Sequence, residues 1–90
     1  MQVRIPGLLR SYTKGEEVVG IDARTASPTL ADALADLDAR FPGFRFRIVD
    51  EQGAIRPHIK IFVDAELVRD QHQRIRPDAE LMIVGALSGG

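Results

Sequence analysis

Apolar and polar residues alternate in several stretches of the chain, and this spacing of two is typical of half-buried β-strands. The pattern predicts a first strand over residues 2–5 and a second over 17–22, which form a hairpin with a wide loop. A third strand is predicted over 59–63, followed by a short edge strand over 66–69. The last predicted strand covers 81–86 and is almost entirely apolar.

One helix is predicted between the second and third strands. Its apolar residues recur at spacings of four, three and four, which places them on one stripe of a helix; they are Leu30, Leu34, Leu37 and Phe41. Ser27-Pro28 is a suitable start, with Thr29 as the competing N-cap, and Pro42-Gly43 ends the helix.

Residues 44–57 are predicted to hold a short strand or an ordered loop, because apolar residues alternate only at the start of this stretch. The resulting order is β-β-α-β-β with a single helix. That order indicates an α+β fold in which the helix covers one face of a mixed sheet.

Composition limits the chain to one small domain. Its 90 residues are 44% apolar, which suffices for a single core without metal or disulfide bridges. The formal net charge of -1 provides no long-range attraction to nucleic acid or to an anionic membrane. The sequence has no cysteine and no run approaching the ~20 apolar residues of a membrane span. We therefore expect a cytoplasmic protein with no nucleic-acid or membrane partner.

The sequence contains no recognisable catalytic or metal-binding motif. His58 and His72 have no second ligand at a metal-binding spacing, and the serines have no histidine within motif distance. The glycines of residues 85–90 lack the lysine and the following helix of a phosphate-binding loop. A partner enzyme would have to supply the catalytic machinery for any reaction in which this protein takes part.

The sequence ends in Gly89-Gly90, shortly after the last strand. We predict a folded domain over residues 1–86 and a flexible tail over 87–90, in which Ser88 precedes the two glycines. Glycine has no side chain and adopts many backbone angles, so this tail could enter a narrow channel of a partner. A C-terminal carboxylate is anionic at neutral pH, and adenylation by a partner would make it reactive toward sulfide or an amine.

An apolar patch is predicted on the sheet face that the helix leaves uncovered. If Leu81 and Ile83 point toward the helix, alternate residues of the last strand point away from it, together with one aromatic residue of the third strand. Apolar residues on an uncovered face form a docking surface for a partner. The residues of this predicted docking surface are Phe62, Met82 and Val84. The alternative is that residues 44–57 fold across this face and bury them.

The predicted order of elements, the small size and the Gly-Gly ending together resemble the ubiquitin-like β-grasp sulfur carriers. This family includes molybdopterin synthase small subunits and thiamine-pathway sulfur carriers. Residues 3–10, 29–30, 61–64 and 83–90 look most like the branch that supplies sulfur to a cysteine synthase. Molybdopterin synthase small subunits commonly have a Pro-Pro pair where this chain has Val84-Gly85.

The resemblance implies a β-grasp fold and a carrier protein that is not itself an enzyme and binds no cofactor. In such a family an E1-like enzyme uses ATP to adenylate the terminal glycine, here Gly90, and to sulfurylate it to a thiocarboxylate. Gly89, which has no side chain, would let a narrow channel of the partner enzyme admit the tail as far as Gly90. The sulfur would pass to an accepting synthase of the cysteine-synthase or molybdopterin-synthase type.

Two other classes of function fit the same residues. In a protein modifier, a lysine amine would attack the activated carboxyl group of Gly90 and form an isopeptide bond. In a pure binding subunit, the docking surface would be used and the carboxylate would stay unmodified.

Overall fold

Five strands form one mixed sheet in the computed structural model, which describes residues 1–85 of the chain. They are β1 (Gln2–Arg4), β2 (Val18–Gly20), β3 (Ile59–Val63), β4 (Glu66–Val68) and β5 (Glu80–Gly85). Their order in the sheet is β2-β1-β5-β3-β4. β1 and β5 are parallel, whereas every other neighbouring pair is antiparallel. The strand that leads to the tail is therefore the central strand, hydrogen-bonded on both sides.

Three helices accompany the sheet in residues 1–85: α1 (Leu30–Arg40), α2 (Phe44–Ile48) and a 3₁₀ helix (Gly7–Thr13) between β1 and β2. Thr29 is the N-cap of α1. Its hydroxyl accepts the Asp32 amide hydrogen at 3.2 Å, and its own amide donates to the Asp32 carboxylate at 2.8 Å. This reciprocal capping box selects Thr29 over Ser27 as the cap.

The apolar stripe of α1 packs against one face of the sheet, which we call the inner face. Leu30, Leu34 and Leu37 are fully buried, and Phe41 is nearly so. They share one core with the inward residues of every strand, among them Val3, Val19, Ile61, Leu81 and Ile83. The predicted helix, its buried stripe and the inward direction of Leu81 and Ile83 are confirmed.

The stretch predicted as a short strand or loop begins instead with a second helix, α2. Phe44 and Ile48 are buried one helical turn apart, while Phe46 between them is 51% exposed. The Asp38 carboxylate accepts the Arg45 amide hydrogen at 3.0 Å and so satisfies one free donor at the start of α2. The apolar residues at 44, 46 and 48 alternate with the period of a strand, but only the pair four apart enters the core.

Within residues 1–85 the order of elements is therefore β, 3₁₀ helix, β, α, α, β, β, β. The predicted β-β-α-β-β order omitted α2 and the 3₁₀ helix, and it left out the edge strand that was itself predicted over residues 66–69 and is present as β4. After α2 the chain forms a loop in which a single β-bridge joins Val49 to Ile55. No helix within residues 1–85 is long and apolar enough to cross a membrane.

A two-residue turn at Asp64-Ala65 joins β3 to β4 and also anchors the start of β5. Both residues have positive φ, 49° and 71°, as expected of a type I′ hairpin turn. The Asp64 carboxylate accepts the Glu80 amide hydrogen at 3.1 Å and pairs with Arg76 at 3.1 Å. The Glu80 hydrogen bond, with help from Arg76, lowers the pKa of Asp64, so the carboxylate is charged at neutral pH.

Candidate docking face and tail exit

The sheet face opposite α1, which we call the outer face, is not covered by the 44–57 segment. α2 packs against α1 and the 3₁₀ helix, on the side of the core. Met82 and Val84 are 45% and 39% exposed, and Phe62 is half-buried. The alternative in which this segment buries the predicted docking surface is therefore wrong.

Strand register brings the predicted docking residues together. Met82 lies directly beside Phe62 on β3, and Val84 follows two residues along β5 on the same face. Side chains at such directly paired positions are within contact distance. The exposed apolar patch is thus present, while its role in docking stays a prediction.

One row of paired residues crosses all five strands of the outer face. Val18 is paired with Arg4, Arg4 with Met82, Met82 with Phe62, and Phe62 with Leu67. We call these five residues the outer row. Val18 and Leu67 were not among the predicted docking residues, although strand alternation places Val18 outside once Val19 lies in the core. Four apolar side chains and one cation make this row suitable for a protein partner.

A groove of about 330 Å³ lies along the outer row. Phe62 and Met82 contribute apolar surface to it, and Arg4 and Glu80 contribute one charge of each sign. Such a groove suits an apolar side chain of a partner, with polar groups at the edge that fix its orientation.

The end of β5, which we call the tail exit because the predicted tail follows it in sequence, lies beside two apolar side chains. Gly85, the last residue of β5, is paired with Ile59 of β3. A Cβ atom at Gly85 would lie 2.5 Å from Cδ2 of Leu8 on the 3₁₀ helix, a distance that such atoms do not adopt. Leu8 therefore packs directly on the backbone of Gly85 and fixes the base of the tail.

Ser88, Gly89 and Gly90, and with them the predicted tail 87–90, lie outside the described residues. Within residues 1–85 there is no group of three or more histidine, aspartate or glutamate residues that could hold a metal ion. His58 and His72 belong to no such group.

We expect the Gly85→Ala substitution to reduce the free energy of unfolding by about 1–3 kcal/mol, because the added methyl group must displace Leu8. Gly20→Ala is the matched control, since a Cβ atom at that strand glycine would meet nothing within 4 Å. Urea unfolding of both variants measures the difference.

The Leu8→Ala/Gly85→Ala double variant identifies the contact responsible. The smaller side chain leaves room for the new methyl group, so the two changes should be coupled by about 1 kcal/mol or more. Effects that add within about 0.5 kcal/mol would contradict the proposed contact between Leu8 and Gly85.

Residues 3–90 match the family model described as the ThiS family. No curated protein matches the sequence significantly. A chain in the crystal structure of the Amycolatopsis orientalis BexX/CysO complex is 30% identical, with a TM-score of 0.84 and coverage of 99% of this chain and 98% of that one. Mycobacterium tuberculosis CysO, described as an antigen, is 27% identical, with a TM-score of 0.83 and coverage of 96% and 98%.

SAMP1 from Haloferax volcanii has the same fold at 23% identity, with a TM-score of 0.83 and coverage of 100% of this chain and 98% of that one. At this identity the similarity concerns the fold alone. Together with the family match, these structures confirm the predicted ubiquitin-like β-grasp fold.

Proposed function

This chain belongs to the ThiS family of sulfur carriers, and we propose that its terminal residue, Gly90, carries the sulfur atom as a thiocarboxylate destined for cysteine synthesis. The observation that carries the proposal is the Gly89-Gly90 ending on a tail that directly follows the central strand of the sheet. Because β5 has a neighbour on each side, the base of the tail is held while its tip can enter a partner.

The chemistry requires two steps on a partner enzyme of the E1-like type. In the first step a carboxylate oxygen of Gly90 attacks the α-phosphate of ATP and displaces pyrophosphate, which leaves an acyl adenylate. In the second step a sulfur nucleophile attacks the carbonyl carbon and displaces AMP. The carrier needs no cofactor of its own for either step, since ATP is a substrate of the partner.

The pathway is proposed from the two CysO structures, at 30% and 27% identity. The thiocarboxylate sulfur would attack an electrophilic substrate bound to a synthase of the cysteine-synthase type and displace the leaving group of that substrate. Hydrolysis of the resulting thioester would release the thiol product and return the carboxylate of Gly90. Sulfur supply to a molybdopterin-type synthase is the alternative pathway. We place the encounter of all three proteins in the cytoplasm, because the activating step consumes ATP.

We assign initial recognition by the partner to the outer face. Phe62, Met82 and Val84 supply exposed apolar surface at the middle of the sheet, and an interface centre of this kind excludes water from the contact. The tail would supply the reacting group, while the outer face holds the domain against the enzyme.

Chemical labelling tests the proposal whichever synthase accepts the sulfur. The chain has no cysteine, so a thiocarboxylate would be the group that iodoacetamide modifies fastest near neutral pH. We expect protein isolated from its native host to contain a fraction about 16 Da heavier, localised to Gly90, that is alkylated and is lost on alkaline hydrolysis. Oxidised Met1 or Met82 has nearly the same added mass, but it is not alkylated, and fragmentation of the peptide backbone assigns the mass to the methionine instead of Gly90.

Two outcomes would contradict the proposal. An unmodified carboxylate after incubation with ATP, sulfide and host extract would favour a binding subunit. An isopeptide bond between Gly90 and lysine residues of other proteins, without any thiocarboxylate, would favour a protein modifier.

A further inference from the structure

A second groove, of about 170 Å³, lies beside the tail exit and is basic. Arg56, Lys60 and Arg69 line it together with apolar residues of β3, β4 and the preceding loop, and no carboxylate does. We call these three cations and the space between them the basic groove. This positive charge is confined to the groove, since the whole chain has a formal net charge of -1.

The cations of the basic groove form no salt bridge within the part of the chain that the structure describes. Within residues 1–85, the salt bridges of the protein involve Arg10, Arg24 and Arg76 but none of these three residues. A cluster of like charges costs stability unless a counter-charge approaches from outside, and the cost is modest only while water solvates each side chain. The groove is therefore prepared for an anionic partner.

Arg56 is held in place by contacts with α2, whereas the side chains of Lys60 and Arg69 form no hydrogen bond or salt bridge within residues 1–85. The Arg56 guanidinium lies over the Phe46 ring, 4.6 Å from the ring centroid, and its Nε donates to the Phe46 carbonyl at 2.8 Å. This arrangement explains why Phe46 is exposed on α2: it supports a cation at the surface. Because one member of the cluster is already ordered, an anion loses less side-chain entropy on binding.

The strand register places the basic groove next to the last residues of β5. Lys60 is paired with Val84, and Ile59 is paired with Gly85, the last described residue of β5. A tail over residues 86–90 spans at most about 17 Å when fully extended. An enzyme that draws Gly90 into its active site must therefore place the entrance of its channel against the surface around Gly85.

We propose that the basic groove binds carboxylate side chains at the channel entrance of the activating enzyme, and so guides the tail into that channel. This inference rests on the proposed function, and it further specifies that the partner surface around the channel entrance is negatively charged. The outer row supplies apolar contact at the middle of the sheet, and the basic groove supplies electrostatic attraction at the edge where the tail leaves. Complementary charges at the edge of an interface mainly raise the rate of association.

Reversing the charges of Lys60 and Arg69 tests the proposal. The probe is the adenylating enzyme of the native host. It is purified by following the ATP–pyrophosphate exchange that it catalyses in the presence of this protein, and the same exchange reaction then measures KM and kcat. For the Lys60→Glu/Arg69→Glu variant at low salt we expect KM for the carrier to rise about 10-fold, with kcat within about 2-fold of the parent value. At 1 M salt, where the Debye length is about 3 Å, the difference should largely disappear.

Arg24→Glu is the control, because it reverses one positive charge outside the basic groove. It is compared with the Lys60→Glu single variant, which reverses one positive charge inside the groove. Arg24 lies in the loop after β2, away from the tail exit, and its salt bridge with Asp36 is exposed on the arginine side. We expect its KM to stay within about 2-fold of the parent value. Such an exposed pair contributes little to stability.

The outcomes separate this inference from the function on which it rests. A double variant with unchanged KM at low salt would overturn the basic groove as a docking site while leaving the carrier function intact. An equal increase in KM for Arg24→Glu, or an increase that persists at 1 M salt, would also overturn it. Absence of exchange with the parent protein would overturn both.

Discussion

The Gly90→Ala substitution is expected to lower the rate of thiocarboxylate formation about 100-fold, because the added methyl group occupies the narrowest part of the partner's channel and moves the carboxylate away from ATP. Glycine at the tip presents only backbone atoms, and alanine adds a side chain where the reacting atoms must align. Single-turnover formation of the thiocarboxylate, followed by alkylation, measures the effect directly.

Ser88→Ala is the matched control for this prediction. It lies in the same proposed tail, two residues from the reacting carboxylate, and makes a side chain smaller instead of larger. We expect its rate to stay within about 3-fold of the parent rate, since it introduces no new atom into the channel. The thermal unfolding temperature should be the same for all three proteins, so that any loss is a loss of reaction.

A Gly90→Ala protein that forms the thiocarboxylate at the parent rate would show that the group is carried without a narrow channel. In that case the Gly-Gly ending would have another purpose. Loss of activity in Ser88→Ala as large as in Gly90→Ala would instead point to a recognition sequence that is read along the whole tail.

The parts of the fold that were predictable from sequence are those specified by local spacing. Leu30, Leu34 and Leu37 follow the period of a helix, and Pro42-Gly43 interrupts it at a definite place, so α1 was found with its buried side correct. The strands were found for the same reason. In each of these elements local preference and burial in the core favour the same conformation.

The second helix was missed because the apolar positions in its five residues fit both the period of a strand and the spacing of a helix. Phe44, Phe46 and Ile48 alternate as in a strand, and the choice between the periods depends on Asp38 and on packing against α1. Both of these are contacts between separate segments of the chain. A segment this short contains too few residues for its own pattern to decide.

The candidate site depends still more on contacts between distant segments. The prediction of Phe62, Met82 and Val84 needed only alternation and a single covering helix. The contact between Leu8 and Gly85 joins residues at opposite ends of the sequence, and the basic groove combines Arg56 with Arg69 through the pairing of β3 with β4. Spacing along the chain contains no signal for either.

The outer row leads to the second prediction with a large expected effect. The Met82→Asp substitution should lower kcat/KM for adenylation of the carrier by about 30-fold or more, mainly through KM. Met82 lies at the centre of the row, between Arg4 and Phe62. A carboxylate enclosed against apolar groups at the centre of an interface costs about 2 kcal/mol or more even with Arg4 beside it, and this cost corresponds to the expected factor.

The unbound domain should tolerate the same change, because Met82 is 45% exposed and points away from the core. Ala35→Asp adds the same charge at an exposed position of α1, the element on the opposite side of the sheet, and should leave KM within about 3-fold of the parent value. Met82→Leu preserves the apolar contact and should be equally mild. Ala35→Asp tests whether a new negative charge anywhere on the domain is sufficient for the defect. Met82→Leu tests whether any change at position 82 is sufficient.

The same steady-state exchange assay, with ATP saturating and the carrier varied, distinguishes the outer row from the basic groove. Apolar contact at the outer row does not weaken with ionic strength, so the defect of Met82→Asp should persist at 1 M salt, where electrostatic attraction at the basic groove is screened. A KM for Met82→Asp within about 3-fold of the parent value would mean that the enzyme recognises the tail without contacting the sheet. A defect that vanished in salt would mean that the enzyme approaches the outer face through charge alone.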